Sequence, residues 1–134
     1  MLDQILCIDD DPITLMLCKK VIEKASFSAE IITAHNGEEA LALFNELKNN
    51  INKTKKPQLI FLDLNMPIMG GWEFLDNFST AQYEEFNSIG IIVLSSTINP
   101  EDLAKAKNYP AVVDFLSKPI SKSMLEFLKE KMNI

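Results

Sequence analysis

The sequence of 134 residues contains no arginine, and all 13 of its basic residues are lysines. Its 19 aspartates and glutamates bring the formal net charge to −6 at pH 7. Binding to the phosphate backbone of nucleic acids requires a basic surface, so this charge balance argues against a nucleic-acid partner. Lysines cluster in one polar stretch, Lys53–Lys56, which predicts a solvated surface loop.

Long apolar runs are also missing from the sequence. No run approaches the roughly 20 apolar residues that span a bilayer. The first residues, Met-Leu-Asp-Gln, lack the basic region that opens a secretory signal. We therefore expect a cytoplasmic protein with no membrane partner. The last predicted helix reaches Met132, so one domain over residues 1–134, without an appended output domain, is expected.

Cysteine and histidine are scarce. Cys7 and Cys18 lack the spacing of metal ligands, and they fall in a predicted strand and a predicted helix, respectively. Both are therefore expected to be core or near-surface thiols. The one histidine, His35, follows a predicted strand and is interpreted as a surface turn residue.

The chain is organised around residues 59–71, Leu-Ile-Phe-Leu-Asp-Leu-Asn-Met-Pro-Ile-Met-Gly-Gly. Its four leading apolar residues predict a strand that is buried on both faces. The proline and the glycine pair predict a tight loop after it. Asp63 stands at the end of the strand. A carboxylate in that position needs a metal ion or an ammonium group to offset the cost of burying its charge.

Strand and helix patterns alternate along the whole chain. Apolar runs predict strands at Leu2–Ile8, Glu30–Ala34, Gln58–Asp63, Ile89–Leu94 and Ala111–Leu116. The signals that start the following helices are Asp11-Pro12, Asn36 with Glu39 at the capping-box position, the segment from Trp72, Asn99-Pro100 and Ser121. The third helix either extends or restarts through Ala81–Phe86. In the first helix, helical spacing predicts an apolar face made of Ile13, Met16, Leu17, Val21 and Ala25.

Five β–α units in succession determine the fold class. They require right-handed crossovers and a parallel sheet that helices cover on both faces. The predicted class is α/β, a flavodoxin-like (βα)5 doubly wound five-stranded parallel sheet with strand order 2-1-3-4-5. In such a sheet, ligands bind in the crevice at the carboxyl ends of the strands.

Polar residues follow four of the predicted strands at this crevice. They are Asp9 and Asp10, then Asp63, then Ser95 or Ser96, and finally Lys118. Three carboxylates repel one another, and a hard cation such as Mg²⁺ or Mn²⁺ relieves that repulsion. A metal ion, an ammonium group and a hydroxyl around one carboxylate form a receptor for a phosphoryl group, with Asp63 as the nucleophile.

Four segments of the chain resemble the receiver domains of two-component response regulators. They are Ile-Leu-Cys-Ile-Asp-Asp-Asp-Pro at 5–12, the stretch at 59–71 described above, Ile-Val-Leu-Ser-Ser at 92–96 and Phe-Leu-Ser-Lys-Pro at 115–119. Each segment alone is a weak signal. Four of them in order, each at a strand end and together spanning nearly the whole chain, make the resemblance specific.

The resemblance implies a role for each residue at the crevice. Asp63 is similar to the phosphoacceptor aspartate of the family, Ser95 to its switch hydroxyl and Lys118 to its lysine. Pro119 matches the position of a cis peptide bond. Phe115 occupies the aromatic switch position, where many members carry tyrosine.

The resemblance also implies a metal site. Mg²⁺, or Mn²⁺ in its place, is expected to bind Asp10, Asp63 and the backbone carbonyl of Asn65 directly. Asp9 is expected to act on the metal indirectly. These ligands are all oxygen atoms, as hard divalent cations prefer.

By the same resemblance, the chain is expected to be a stand-alone signalling module that phosphorylation controls. Its phosphoryl donor would be a histidine kinase or a histidine phosphotransfer protein, and its output would pass through contacts with a downstream protein that the sequence does not name. It would catalyse only its own phosphotransfer and dephosphorylation, and it is not expected to be a metabolic enzyme.

Two other functions fit the sequence less well, and a third stays open. A phosphatase with an aspartyl nucleophile, similar to haloacid dehalogenases, needs a second acid at position 65, and Asn65 cannot donate and recover a proton. A flavin- or nucleotide-binding protein of similar fold needs a glycine-rich loop after the first strand, where this chain has Asp-Asp-Asp-Pro. A receiver-like binding module that is not phosphorylated stays open as an alternative.

Overall fold

The structure is a computed structural model that describes residues 1–49 and 56–134. These residues form the strands β1 (Leu2–Ile8), β2 (Ser28–Ala34), β3 (Leu59–Asp63), β4 (Gly90–Ser95) and β5 (Val112–Ser117). They also form the α-helices α1 (Pro12–Lys24), α2 (Gly37–Asn49), α3 (Gly71–Phe78), α4 (Pro100–Ala106) and α5 (Lys122–Met132). Most of the predicted lysine-rich loop, Lys53–Lys55, lies outside the described residues.

The strands pair in parallel in the order β2-β1-β3-β4-β5. This order confirms the predicted fold class and topology. The register places Ile8 beside Leu62 and Asp63 beside Leu94, so β1, β3 and β4 end at the same edge of the sheet. Side chains that follow these strands are therefore brought to one crevice.

The sheet separates two apolar cores because successive strand residues point to opposite faces. Leu6 and Ile8 of β1 face a core that α2, α3 and α4 cover. Ile5 and Cys7 of the same strand face a core that α1 and α5 cover. No helix among the described residues has the length and apolar content needed to cross a membrane.

Side chains cap the helices where the sequence predicted. The backbone N–H groups of Ile13, Glu39, Asp102 and Met124 donate to the side chains of Asp11, Asn36, Asn99 and Ser121 at 2.9, 2.8, 2.8 and 3.2 Å, respectively. The predicted capping box at α2 differs in its second half. The carboxylate of Glu39 accepts from the backbone N–H of His35, one residue before the cap, and also contacts the His35 ring. His35 itself is an exposed turn residue, as predicted.

The inward face of α1 is only partly the one that the sequence predicted, because, of the predicted residues, just Val21 and Ala25 pack against the core. The buried side chains are Leu15, Cys18 and Ile22, whereas the predicted Ile13, Met16 and Leu17 are 64%, 48% and 49% exposed. Apolar residues surround most of this helix, so helical spacing alone could not select the face that meets the sheet. Packing selected it, and three large apolar side chains stay at the surface.

The third helix ends at Phe78 and the chain restarts as a 3₁₀ helix, Ala81–Phe86. The aromatic rings of this insert join those of α2 and α3, with Phe44 lying 4.7 Å from Phe78 and 4.9 Å from Phe86 between centroids. The Tyr83 hydroxyl donates to the side chain of Asn45 at 2.9 Å. The insert therefore belongs to the core and is not a loose extension of α3.

Candidate functional site

The carboxyl edge of the sheet brings three aspartates together. Asp63 is the last residue of β3, Asp9 directly follows the neighbouring strand β1, and Asp10 comes next in the loop to α1. Carboxylate oxygens of the three side chains lie within 4.8 Å of one another. Asp9 and Asp63 are buried and Asp10 is exposed. The cluster is therefore open to solvent on the side of Asp10.

Lys118 places a positive charge between the two buried acids. It directly follows β5, and its Nζ lies 2.6 Å from Asp9 Oδ2 and 3.1 Å from Asp63 Oδ1. Its backbone N–H donates to the carbonyl of Ser95 at 2.9 Å, which holds the loop after β5 against the end of β4. The peptide bond from Lys118 to Pro119 is cis, as the family resemblance implied.

Hydrogen bonds fix the acidic run after β1. The backbone N–H of Asp11 donates to Asp9 Oδ1 at 3.0 Å, and Asp11 in turn caps α1 and accepts from the Thr14 hydroxyl at 3.0 Å. The hydrogen bonds that the Asp11 carboxylate accepts, chiefly from the Ile13 backbone N–H and then from the Thr14 hydroxyl, lower the pKa of Asp11. Asp9 thus forms an ion pair with Lys118, and Asp11 caps α1. Asp10 is the exposed carboxylate of the run.

Burial sets the electrostatics of the site. It raises the pKa of Asp63, the negative charge of Asp9 raises it further, and Lys118 opposes both effects. Burial alone would lower the pKa of Lys118, but its hydrogen bonds to Asp9 and Asp63 outweigh this and raise it. Lys118 therefore stays protonated, while the ionised form of Asp63 is disfavoured relative to an ordinary aspartate.

The donor set of the site fits a hard divalent cation. Three carboxylates face one ammonium group, which leaves two negative charges without a partner in the cluster. Oxygen donors of this kind are those that Mg²⁺ and Mn²⁺ prefer. Asp10 is exposed and can meet an ion that keeps several of its waters, as Mg²⁺ usually does. The three carboxylates could thus hold such an ion, and the assignment of Asp10 and Asp63 as its direct ligands stays a prediction.

The two predicted switch residues lie on the neighbouring strands β4 and β5. The hydroxyl of Ser95, the last residue of β4, donates to the carbonyl of Thr97 at 2.7 Å and accepts from its N–H at 3.3 Å. It is thus engaged in its own turn and not with Asp63. Phe115 is buried in the core beneath α4. The structure brings Asp9, Asp10, Asp63 and Lys118 together, whereas Ser95 bonds within its own turn and Phe115 packs in the apolar core.

The loop after β3 folds back tightly on Asp63. The backbone N–H of Gly71 donates to the Leu64 carbonyl at 2.9 Å. A Cβ atom at position 71 would lie 2.6 Å from the carbonyl oxygen of Asp63, so a side chain there would push the loop away. Asn65 is exposed in this loop, and its backbone carbonyl stays a predicted metal ligand.

Sequence reasoning missed two cavities and a pair of thiols beside the acids. Cys7 and Cys18 meet under the site, and a small cavity that both line also touches Asp9 and Asp63. The neighbouring Cys18 thiol, together with burial, raises the pKa of Cys7, and the Cys7 thiol lowers the pKa of Cys18. Eleven positions separate the two residues in sequence, and only the position of Cys7 next to the acidic run could have drawn attention to them.

Comparisons with known proteins identify the same family. The sequence matches the family model described as response regulator receiver domain over residues 5–128. The crystal structure of a two-component response regulator from Cytophaga hutchinsonii has a TM-score of 0.87 and 32% identity, with 99% of this chain and 98% of that chain covered. The chemotaxis protein CheY of Halobacterium salinarum is 26% identical over 122 residues, which cover 91% of this chain and 89% of that protein.

Other relatives are much longer than this chain. Protein-glutamate methylesterase/protein-glutamine glutaminase 2 of Methanospirillum hungatei JF-1 is 32% identical over 100 residues, which are 75% of this chain and 25% of that protein. The chain spans 10% and 21% of two further curated relatives. The likeness therefore concerns one segment of those proteins and not their whole activities. Because the family match covers nearly the entire chain and its strand ends carry the acids and the lysine of the resemblance, the chain belongs to the response regulator receiver domain family.

Proposed function

We propose that this receiver accepts a phosphoryl group on Asp63 from a histidine kinase or a histidine phosphotransfer protein, in a reaction that requires Mg²⁺. The observation that carries the proposal is the contact of one ammonium group, Lys118 Nζ, with both Asp9 and Asp63 at the crevice. The ammonium group supplies a fixed positive charge directly beside the carboxylate that receives the phosphoryl group in this proposal.

The acceptor reaction follows from the chemistry of these groups. An oxygen of the Asp63 carboxylate attacks phosphorus, the P–N bond of the donor phosphohistidine breaks, and the imidazole nitrogen leaves with the electron pair. Lys118 stabilises negative charge on the phosphoryl oxygens as the group moves. Asp10 and Asp63, with the Asn65 carbonyl, would hold Mg²⁺, which neutralises phosphoryl oxygens when it is bound.

Ser95 supplies the response to phosphorylation in this proposal. A phosphoryl group on Asp63 adds charge and three acceptor oxygens at the end of β3. The Ser95 hydroxyl now donates to the Thr97 carbonyl and would exchange that acceptor for a phosphoryl oxygen. The turn from Ser95 to Thr97 then moves and so does the start of α4, because the turn leads directly into that helix.

Exposed apolar side chains support docking of the donor beside the site. A protein that brings phosphohistidine to Asp63 must cover the rim of the crevice, and the start of α1 is part of that rim. Ile13, Met16 and Leu17 present an apolar surface there. We infer that the histidine-bearing helical segment of the donor rests against these residues. The signal then leaves through contacts with a downstream protein, and the chain acts as a cytoplasmic signalling module and not as a metabolic enzyme.

Intact-mass spectrometry after incubation with acetyl phosphate and Mg²⁺ tests the proposal. We expect a gain of about 80 Da, one phosphoryl group, in the wild-type protein. Asp63→Asn should abolish this gain in mass, because the amide has no negatively charged oxygen that can attack phosphorus. Asp3→Asn, which changes an exposed acid on β1 far from the crevice, is the matched control and should be phosphorylated normally.

Two results would contradict the assignment. An unchanged adduct in Asp63→Asn would place the phosphoryl group elsewhere. Absence of any adduct in the wild-type protein, with Mg²⁺ present, would favour the alternative of a receiver-like binding module that is not phosphorylated.

A further inference from the structure

Two buried thiols lie directly beneath the acidic crevice, and the proposed phosphotransfer uses neither of them. Cys7 is on β1, two residues before Asp9, and Cys18 is on α1. They are 2% and 5% exposed. Both side chains belong to the same buried apolar cluster between the sheet and α1, and both line one small cavity. They are therefore close neighbours in the fold although the acidic turn separates them along the chain.

The two thiols differ in their access to solutes. An outer cavity of about 290 Å³ is lined by Leu17, Cys18, Ser96 and Lys118 among others, and Cys7 does not line it. The small inner cavity beside Asp9 is lined by both thiols. Cys18 therefore forms part of the wall between the cavities. A small solute in the outer cavity meets Cys18 first, and Cys7 stands behind it.

We propose that Cys7 and Cys18 form a redox pair that a hydroperoxide converts reversibly to an intramolecular disulfide. The sulfur of Cys18 takes the terminal oxygen of the hydroperoxide as the O–O bond breaks, which gives a sulfenic acid and releases an alcohol or water. The sulfur of Cys7 then attacks that of Cys18, so the S–S bond forms, the S–O bond breaks, and water leaves with the Cys7 proton. A dithiol reductant reverses the reaction by exchange.

The disulfide would act on the acidic site through the turn that joins β1 to α1. Bonded sulfurs are roughly 1.5 Å closer than sulfurs in non-bonded contact, so the bond draws α1 towards β1. The turn Asp9–Asp11 lies between the two bonded residues and must adjust. Mg²⁺ tolerates little departure from octahedral geometry, so oxidation should weaken its binding. This second effect rests on the proposed function, whereas formation of the disulfide does not.

Mass spectrometry after treatment with hydrogen peroxide tests the disulfide. The oxidised wild-type protein should lose about 2 Da, two hydrogen atoms, and resist alkylation after denaturation until a dithiol is added. In Cys7→Ala, dimedone should capture a sulfenic acid on Cys18. In Cys18→Ser, Cys7 should stay reduced, because the serine side chain keeps the wall between the two cavities in place. Both variants remove a single sulfur from the core, so circular dichroism should confirm that each remains folded.

Three outcomes of this experiment would overturn the pair. These are equal oxidation of the two variants, disulfide-linked dimers as the main wild-type product, and sulfinic or sulfonic acid without loss of hydrogen.

Calorimetric titration with Mg²⁺ tests the coupling to the crevice. The oxidised protein should bind at least about fivefold more weakly than the reduced protein, within the usual range of coupling between sites. A Cys7→Ala, Cys18→Ala double variant should bind equally well before and after peroxide. Equal affinity of the oxidised and reduced wild-type forms would overturn the coupling. If the reduced protein does not bind Mg²⁺, the proposed function fails, while the result of the mass measurement still decides the redox pair.

Discussion

Ile68, in the loop after β3, holds a backbone conformation that β-branched residues rarely adopt. Its φ is 71°, and its side chain is 75% exposed. The left-handed region costs an L-residue about 1–2 kcal/mol. The next residue, Met69, is fixed because its carbonyl accepts from the Gly37 backbone at 2.8 Å. The loop beside Asp63 therefore carries strain that its neighbours impose.

Replacing Ile68 with asparagine should relieve this strain. Asparagine tolerates the left-handed region, and the exposed isoleucine loses little packing, so Ile68→Asn should raise the free energy of unfolding by about 1 kcal/mol. Urea denaturation measures the change. Ile13→Asn is the matched control, because Ile13 is similarly exposed but lies in the helical backbone of α1. It should give no gain, and an equal or lower stability of Ile68→Asn would contradict the prediction.

Asp63 should destabilise the metal-free protein at neutral pH. The pKa of Asp63 is higher in the folded than in the unfolded chain. Its contribution to the free energy of unfolding therefore falls as the pH rises from the ordinary pKa of an aspartate to the raised pKa of the folded state. Asp63→Asn removes this effect. In chelator, the variant should melt a few degrees above wild type at pH 7, and the difference should vanish at a pH where Asp63 is protonated. A lower melting temperature at pH 7 would show that the contact with Lys118 dominates.

At the scale of elements, an aromatic stack joins α4 to α3. Trp72 of α3 stacks on Tyr109, just after α4, with ring centroids 5.8 Å apart. The ammonium of Lys105 lies 4.7 Å from the Trp72 ring centroid, and the Tyr109 hydroxyl donates to Asp76. Burial, with the neighbouring Asp76, raises the pKa of Tyr109 to about 12, so it stays protonated as a donor. Any displacement of α4 must therefore disturb this stack.

Activation should be visible at Trp72. We predict that beryllofluoride with Mg²⁺, a mimic of the phosphoryl group, shifts the NMR resonance of the Trp72 indole N–H and the backbone amides of residues 99–122. The cause is the movement of Ser95 and repacking of Phe115, which displace α4 against α3. The sequence has one tryptophan, so the indole signal is unambiguous. Asp63→Asn should show no shift, and shifts confined to the loop after β3 would rule out this route.

At the scale of the whole molecule, the crevice joins the two layers of the fold. Asp9 and Asp63 lie at the ends of strands that run between the two cores. Lys118 lies in the connection from β5 to α5. A cation that binds the folded crevice is bound weakly by the unfolded chain, where these residues are far apart. Binding there should therefore stabilise the entire domain.

Millimolar Mg²⁺ should raise the melting temperature of the wild-type protein. At a Mg²⁺ concentration about 100-fold above the dissociation constant, the free energy of unfolding would rise by about 2.7 kcal/mol. Asp10→Ala should lose most of this gain, because Asp10 is the exposed carboxylate of the cluster. Asp3→Ala should keep it. A melting curve that Mg²⁺ does not move, or an undiminished shift in Asp10→Ala, would count against the predicted metal site.

The sequence by itself determined the order of elements, the sheet topology and the position of each acid. Alternating apolar runs and cap residues such as Asp11 and Ser121 act locally, and right-handed crossovers leave few arrangements for five β–α units. The contact of Lys118 with the acids could also be expected, because the ends of parallel strands meet at one edge. These features depend on neighbours along the chain or on the hand of the crossover, which the sequence encodes directly.

Only the tertiary structure decided which side chains of α1 face the sheet and which acceptor the Ser95 hydroxyl takes. Apolar residues surround α1, so packing against the sheet chose Leu15, Cys18 and Ile22 and left Ile13 and Met16 outside. The same choice of inward face brought Cys18 to the small cavity that Cys7 also lines. The turn geometry after β4 likewise gave the Ser95 hydroxyl the Thr97 carbonyl as its acceptor. Such choices depend on the relative placement of elements that are distant in sequence, and local pattern carries no information about them.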